Sequence, residues 1–139
     1  MDDILTQVLN YGFDRGIGIY MLQLKPWTKP QANSEANAIV LNTNWHNKKE
    51  LAFQAAHEIA HLLDGDRGVL YYATKPAKTA AEGEANRTAL KIVVPMYFAD
   101  TDPEDANLHA FMSDLAIPCW LEDEARLTIH KHFEKTGSK

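Results

Sequence analysis

The chain has 139 residues and a mass of 15.6 kDa, with 45% apolar and 24% charged residues, the composition of one soluble globular domain over residues 1–139. Its single cysteine, Cys119, excludes a disulfide framework and a cysteine-based zinc or iron–sulfur site, and it points to a reducing, cytoplasmic setting. The net charge of −5, with 14 Lys and Arg scattered among 19 Asp and Glu, leaves no basic stripe for direct nucleic-acid binding; an acidic N-terminus and short apolar runs speak against a secretory signal or a membrane span.

Ile4, Leu5, Val8, Leu9 and Phe13 recur at helical spacing over residues 2–14, with Asp2 and Asp3 at the positive end of the helix dipole. Gly16 and Gly18 break that helix. Ile17 to Leu24 reads as a strand, stopped by Lys25-Pro26-Trp27 and Pro30. The polar run 28–35 reads as a hairpin-type connection to a second strand, Ala38 to Asn42. Asn47 and Glu50 fit a capping box for a helix from about Lys48 to Leu63, with Asp64-Gly65 as its stop. Gly65 to Lys78 reads as loop, with Val69 to Tyr72 as a short strand within it. Thr79 and Glu82 fit a second capping box, opening a helix that Pro95 should end. Asp102-Pro103 opens another, carrying Leu108, Phe111, Met112 and Leu115. A last helix covers about Trp120 to Phe133, with Leu121, Ala125, Ile129 and Phe133 inward. The expected fold is α+β, a small antiparallel sheet packed on several helices.

The chemistry concentrates in His57-Glu58-Ile59-Ala60-His61. Histidines at i and i+4 share one helix face, one turn apart, so both rings can reach a single metal ion. Glu58 stands beside them, placed to touch a water on the metal rather than the metal itself. Zinc lowers the pKa of such a water to ~7, and a neighbouring carboxylate can take its proton and deliver it to a leaving amine. This is zincin logic, with the HExxH motif on a central helix. A bare exposed face could hold the same residues by chance, but this motif lies in a capped helix with Leu51, Ala55, Ile59, Leu62 and Leu63 available to anchor its back.

A catalytic zinc needs a third protein ligand. Leu62 to Gly68 contains no histidine, so the third ligand comes from elsewhere, and the next helix offers Glu82 and Glu84. They lie about 200° apart around a helix, so only one of them faces the metal. Glu82 already has a capping role with Thr79, which makes Glu84 the expected ligand.

These residues resemble the ImmA/IrrE family of metallopeptidases. The resemblance rests on Ile39-Val40-Leu41-Asn42, on Ala56-His57-Glu58-Ile59-Ala60-His61-Leu62-Leu63, and on Glu84-Ala85-Asn86 continuing through Arg87 to Pro95. The last run is similar to the family's Glu-Ala-Asn, Phe-Ala, Leu-Leu-x-Pro helix, and the helix–strand–strand–helix opening also fits. Thr88 departs from the family's usual Phe, and Val93-Val94 from its Leu and Met. The helix-turn-helix domain fused to some relatives has no counterpart in these residues. The resemblance implies cytoplasmic, zinc-dependent, site-specific cleavage of a regulatory protein, usually a helix-turn-helix repressor of a prophage or mobile element.

Further side chains belong to the candidate list. His46, His109, His130, His132, Tyr71 and Tyr72 could donate to an oxyanion, although packing or surface roles account for each. Asn42, Asp64 and Asn86 could orient a ligand imidazole through its second nitrogen. Cys119 reads as a small buried side chain. A sheet edge, from Ile17–Leu24 or Ala38–Asn42, could hold an extended substrate by strand addition. Two other classes stand beside the enzyme: a metal-containing anti-repressor that binds a transcription factor without cutting it, and a structural zinc site closed by a fourth ligand such as His46.

Overall fold

Two short apolar segments, one short polar segment and the helically periodic stretches become three strands and five helices in a computed structural model that describes residues 3–65 and 75–137. Helix α1 (Ile4–Asp14) is capped by Asp3, whose Oδ1 accepts the Thr6 N–H at 2.8 Å. Gly16, at φ +80°, takes the left-handed turn that ends it. Strands β1 (Gly18–Leu22), β2 (Gln31–Asn33) and β3 (Ala38–Asn42) form one sheet in the order β1-β3-β2.

The sheet is mixed rather than antiparallel. β1 runs parallel to β3, with Gly18 opposite Ala38 and Leu22 opposite Asn42, and β2 runs antiparallel on the other side, with Gln31 opposite Val40. The chain leaving β1 does not double back along it. Residues 23–30 cross the end of β3 and return as β2. Asn42, 1% exposed, pins that crossing: Oδ1 accepts from the N–H groups of Leu24 and Asn44, while Nδ2 donates to the carbonyls of Lys25 and Thr28. β2 is three residues of Gln-Ala-Asn, too short and polar to show a strand periodicity. Asn37, at φ 51°, completes the turn into β3 and donates to the Gly16 carbonyl.

A 3-10 turn (Lys48–Glu50) leads into α2 (Leu51–Leu63). Asn47 accepts from the Lys49 N–H, and the Glu50 carboxylate takes bonds from Trp45 Nε1 and Asn47 Nδ2. The two residues foreseen as a capping box thus meet through their side chains. α2 packs its Ala- and Ile-rich face on β3, α1 and α3. Gly65, at φ +76°, follows its end, as the Asp-Gly pair predicts.

Helix α3 (Lys75–Tyr97) begins four residues before Thr79, so the second capping box does not exist. It also runs past Pro95, which lacks the N–H that would bond the Lys91 carbonyl, and Phe98 closes back to the Val94 carbonyl at the helix end. A 3-10 turn at Pro103–Asp105 is separated from α4 (Leu108–Asp114) by the extended residue Ala106, and Asn107 rather than Asp102 caps α4. A turn at Cys119–Leu121 precedes α5 (Glu122–Gly137). Cys119 is exposed, not buried. Val8, Ile39, Leu41, Ile59, Leu90, Val93 and Phe111 form the dry centre. No helix among the described residues is long and apolar enough to cross a membrane. Asp2 and the foreseen strand at Val69–Tyr72 lie outside the described residues.

Candidate metal centre and active site

The core packing of α2 sets the site. Ala52, Ala55, Ala56, Ile59 and Ala60 are buried against the sheet and neighbouring helices, which turns His57, Glu58 and His61 to one side of the helix. On α3 the stripe Ala81, Ala85, Ala89 and Val93 is buried, and Glu82 and Asn86 flank it. Small residues let the two helices approach closely, and this brings the Glu82 carboxylate to the histidines.

His57 Nε2 lies 2.8 Å from Glu82 Oε1 and 3.1 Å from His61 Nε2, while His61 Nε2 lies 3.3 Å from the same oxygen. Two imidazole nitrogens and a carboxylate oxygen at these separations share either a ring proton or a metal cation. Tetrahedral zinc with ~2.0 Å bonds places its ligands ~3.3 Å apart, close to these separations. The donor set therefore fits a zinc ion. Among the described residues, His57, His61 and Glu82 form the group able to hold a metal.

Glu84, the residue expected from the sequence, is not in this group. It is exposed, about 200° around α3 from Glu82. A capping role with Thr79 would have occupied Glu82. With α3 starting at Lys75, that carboxylate is mid-helix and available. The signal was present in the apolar register: Glu82 adjoins the Ala85–Ala89 face, whereas Glu84 shares its side of the helix with Arg87 and Lys91.

Electrostatics suit the arrangement. Burial is the main cause that lowers the His57 pKa from 6.5, reinforced by His61 and opposed by Glu82 and by a hydrogen bond with Asn86. The ring is thus neutral near pH 7, the form that binds metal. Glu58 is pushed up to about 7, first by burial and also by Glu82, against the pull of His61.

The site opens into a cleft of about 720 Å³, walled by Pro30, Gln31 and Ala32 on one side and by Gln54, Glu58 and Leu62 on the other. Gln54 stands one turn before Glu58, and its Oε1 is buried with no hydrogen-bond partner among the described residues. Trp45 closes one end. Of the other candidates, His46 stacks between Trp27 and Trp45, with ring centroids 3.9 and 4.5 Å away. His130 faces Glu134 on α5, and His132 packs on Phe133. His109 is exposed on α4. Asn42 is spent on the β1–β2 crossing, Asp64 accepts from Thr88 at 3.0 Å, and Asn86 reaches His57. Tyr71 and Tyr72 lie outside the described residues.

A search of curated proteins found no match to the chain. The family model for the IrrE N-terminal-like domain, Peptidase_M78, matches residues 14–108, which includes the sheet, α2 and α3. With that match over most of the chain, and with the two histidines and a glutamate converging inside it, the chain belongs to the Peptidase_M78 (ImmA/IrrE) family of metallopeptidases.

Proposed function

We propose that this chain is a zinc-dependent endopeptidase in which His57, His61 and Glu82 hold the metal and Glu58 is the general base. The convergence of two imidazoles and one carboxylate at 2.8–3.3 Å, with a second carboxylate alongside, carries this reading. Bound zinc would supply Lewis acidity toward a peptide carbonyl and toward water. Glu58 takes a proton from the attacking water and returns it to the leaving amine. Its pKa, pushed up to about 7, suits both transfers near neutral pH. Asn86 orients the His57 ring from α3.

The substrate segment lies extended in the cleft, paired with β2. β2 is an edge strand, and Gln31 and Ala32 line the same cleft as His57. Of the two segments foreseen for strand addition, Ile17–Leu24 contains β1, the opposite edge of the sheet, and Ala38–Asn42 is the central strand with both edges taken. Resemblance to the ImmA/IrrE family supports a regulatory protein as target, a helix-turn-helix repressor of a prophage or mobile element, cut in the cytoplasm.

The test is cleavage of an unbiased peptide library, then of candidate helix-turn-helix repressors, by the zinc-loaded protein and its Glu58→Gln variant. Loss of the base should lower turnover by ~10²–10⁴-fold while zinc content is unchanged. Full activity of Glu58→Gln would sink the assignment. A stable complex with an intact repressor would instead identify a non-cleaving anti-repressor.

A further inference from the structure

On the side of α3 away from Glu82, a groove of about 650 Å³ runs between α3 and α5. Its floor is apolar: Val94 is buried there, and Leu127 remains 53% exposed although it lies in a concave surface. Two rows of cations flank it, Arg87 and Lys91 one turn apart on α3, Lys131 and Lys135 one turn apart on α5. Arg87, Lys91 and Lys131 make no ion pair among the described residues. Arg126 on the same helix, by contrast with Lys131, bonds both Glu122 and Asp123. Four cations against two carboxylates, Glu124 and Glu134, make this a positive surface on a protein of net charge −5.

We infer that this groove is a docking site for an acidic, amphipathic segment of a partner protein. The segment's carboxylates meet the two cation rows, and its apolar side chain covers Leu127. Charge complementarity selects the sign of the occupant, and the exposed leucine over a buried valine selects one with an apolar side chain. A nucleic acid fits less well, because Glu124 and Glu134 stand in the wall and the floor offers no polar readout. The groove and the metal site occupy opposite faces of α3, so a protein docked here leaves the catalytic cleft open. The inference does not depend on the peptidase reading.

The experiment is fluorescence anisotropy of a short labelled peptide of Glu and Leu at helical spacing, with Leu→Ser and Glu→Lys versions and a DNA duplex as comparisons. The Glu/Leu peptide should bind at least about ten-fold tighter than any comparison, and binding should weaken with added salt. Lys91→Glu combined with Lys131→Glu should lose about ten-fold, and Leu127→Ser several-fold, with unchanged circular dichroism. Chelation of metal should leave the affinity unchanged, which separates this site from the cleft. Amide shifts on binding should map to Arg87–Pro95 and Leu127–Lys135. No binding of the Glu/Leu peptide, equal binding of the comparisons, indifference to the three substitutions, or tighter binding of DNA would each overturn the inference.

Discussion

Replacing Asn42 by Ala should destabilise the protein more than its position far from the metal suggests. The side chain is 1% exposed and uses its full capacity, accepting two hydrogen bonds at 2.9 and 3.0 Å and donating two at 2.6 and 3.2 Å. Each bond contributes about 1 kcal/mol net, and truncation also leaves part-buried backbone groups unpaired, so the loss should be ~3–5 kcal/mol. That is a large share of the ~5–15 kcal/mol typical of a domain, and for a chain of this size it lowers Tm by ~10–15 °C. Urea unfolding read by tryptophan fluorescence measures it. Because the crossing carries Lys29 and Pro30 into the cleft wall, peptide affinity should fall as well. A loss below ~1 kcal/mol with an unchanged m-value would refute the reasoning, since it would mean that the crossing holds without its buried anchor.

Gly12 lies against the metal helix. A Cβ there would sit 2.8 Å from Ile59 Cδ1 and 3.2 Å from Cγ1. Gly12→Ala gains ~1 kcal/mol of helix propensity but overpacks at ~1–3 kcal/mol, for a net loss of about 1 kcal/mol. Adding Ile59→Val removes the nearest atom, so the double variant should be more stable than the sum of the singles, and additive melting data would refute the contact. Tyr97 donates to Asp114, and burial followed by that carboxylate pushes its pKa up to about 12 from 10.0. The folded state keeps this proton longer than the unfolded chain, so the contribution is present below pH 10 and is lost as pH rises toward 12. Tyr97→Phe should therefore flatten the alkaline limb of the stability curve in that window, and an identical limb would count against the interaction.

The placing of His57, Glu58 and His61 on one side of a helix was legible because one-turn spacing is a local property. Which carboxylate of α3 meets them was not. It depends on where α3 begins, and the apparent box at Thr79 competes with Pro76, a first-turn proline that marks the earlier start. The buried Ala81–Ala85–Ala89 stripe is the feature that turns Glu82 toward the histidines. In the sheet, β1 and β3 were readable from their β-branched and aliphatic residues. Their parallel pairing was not, because it follows from a crossing fixed by Asn42 contacts 14 to 18 residues away. β2 has no apolar alternation and forms because the Asn37 turn lays it against β3. Cys119 followed the general tendency of cysteine to be buried, yet it falls at the exposed start of a 3-10 turn.

The central claim is that His57, His61 and Glu82 together hold one metal ion. The direct measurement is zinc stoichiometry and affinity for the unaltered protein, Glu82→Gln and Glu84→Gln. Tetrahedral sites bind with ~10–16 kcal/mol over four ligands, so loss of one should cost about 3 kcal/mol, or ~10²-fold in affinity. The account predicts one zinc per chain, an affinity weakened ~10²-fold by Glu82→Gln, and no change with Glu84→Gln. Zinc lost with Glu84→Gln and kept with Glu82→Gln, or no zinc bound by the unaltered protein, would contradict it.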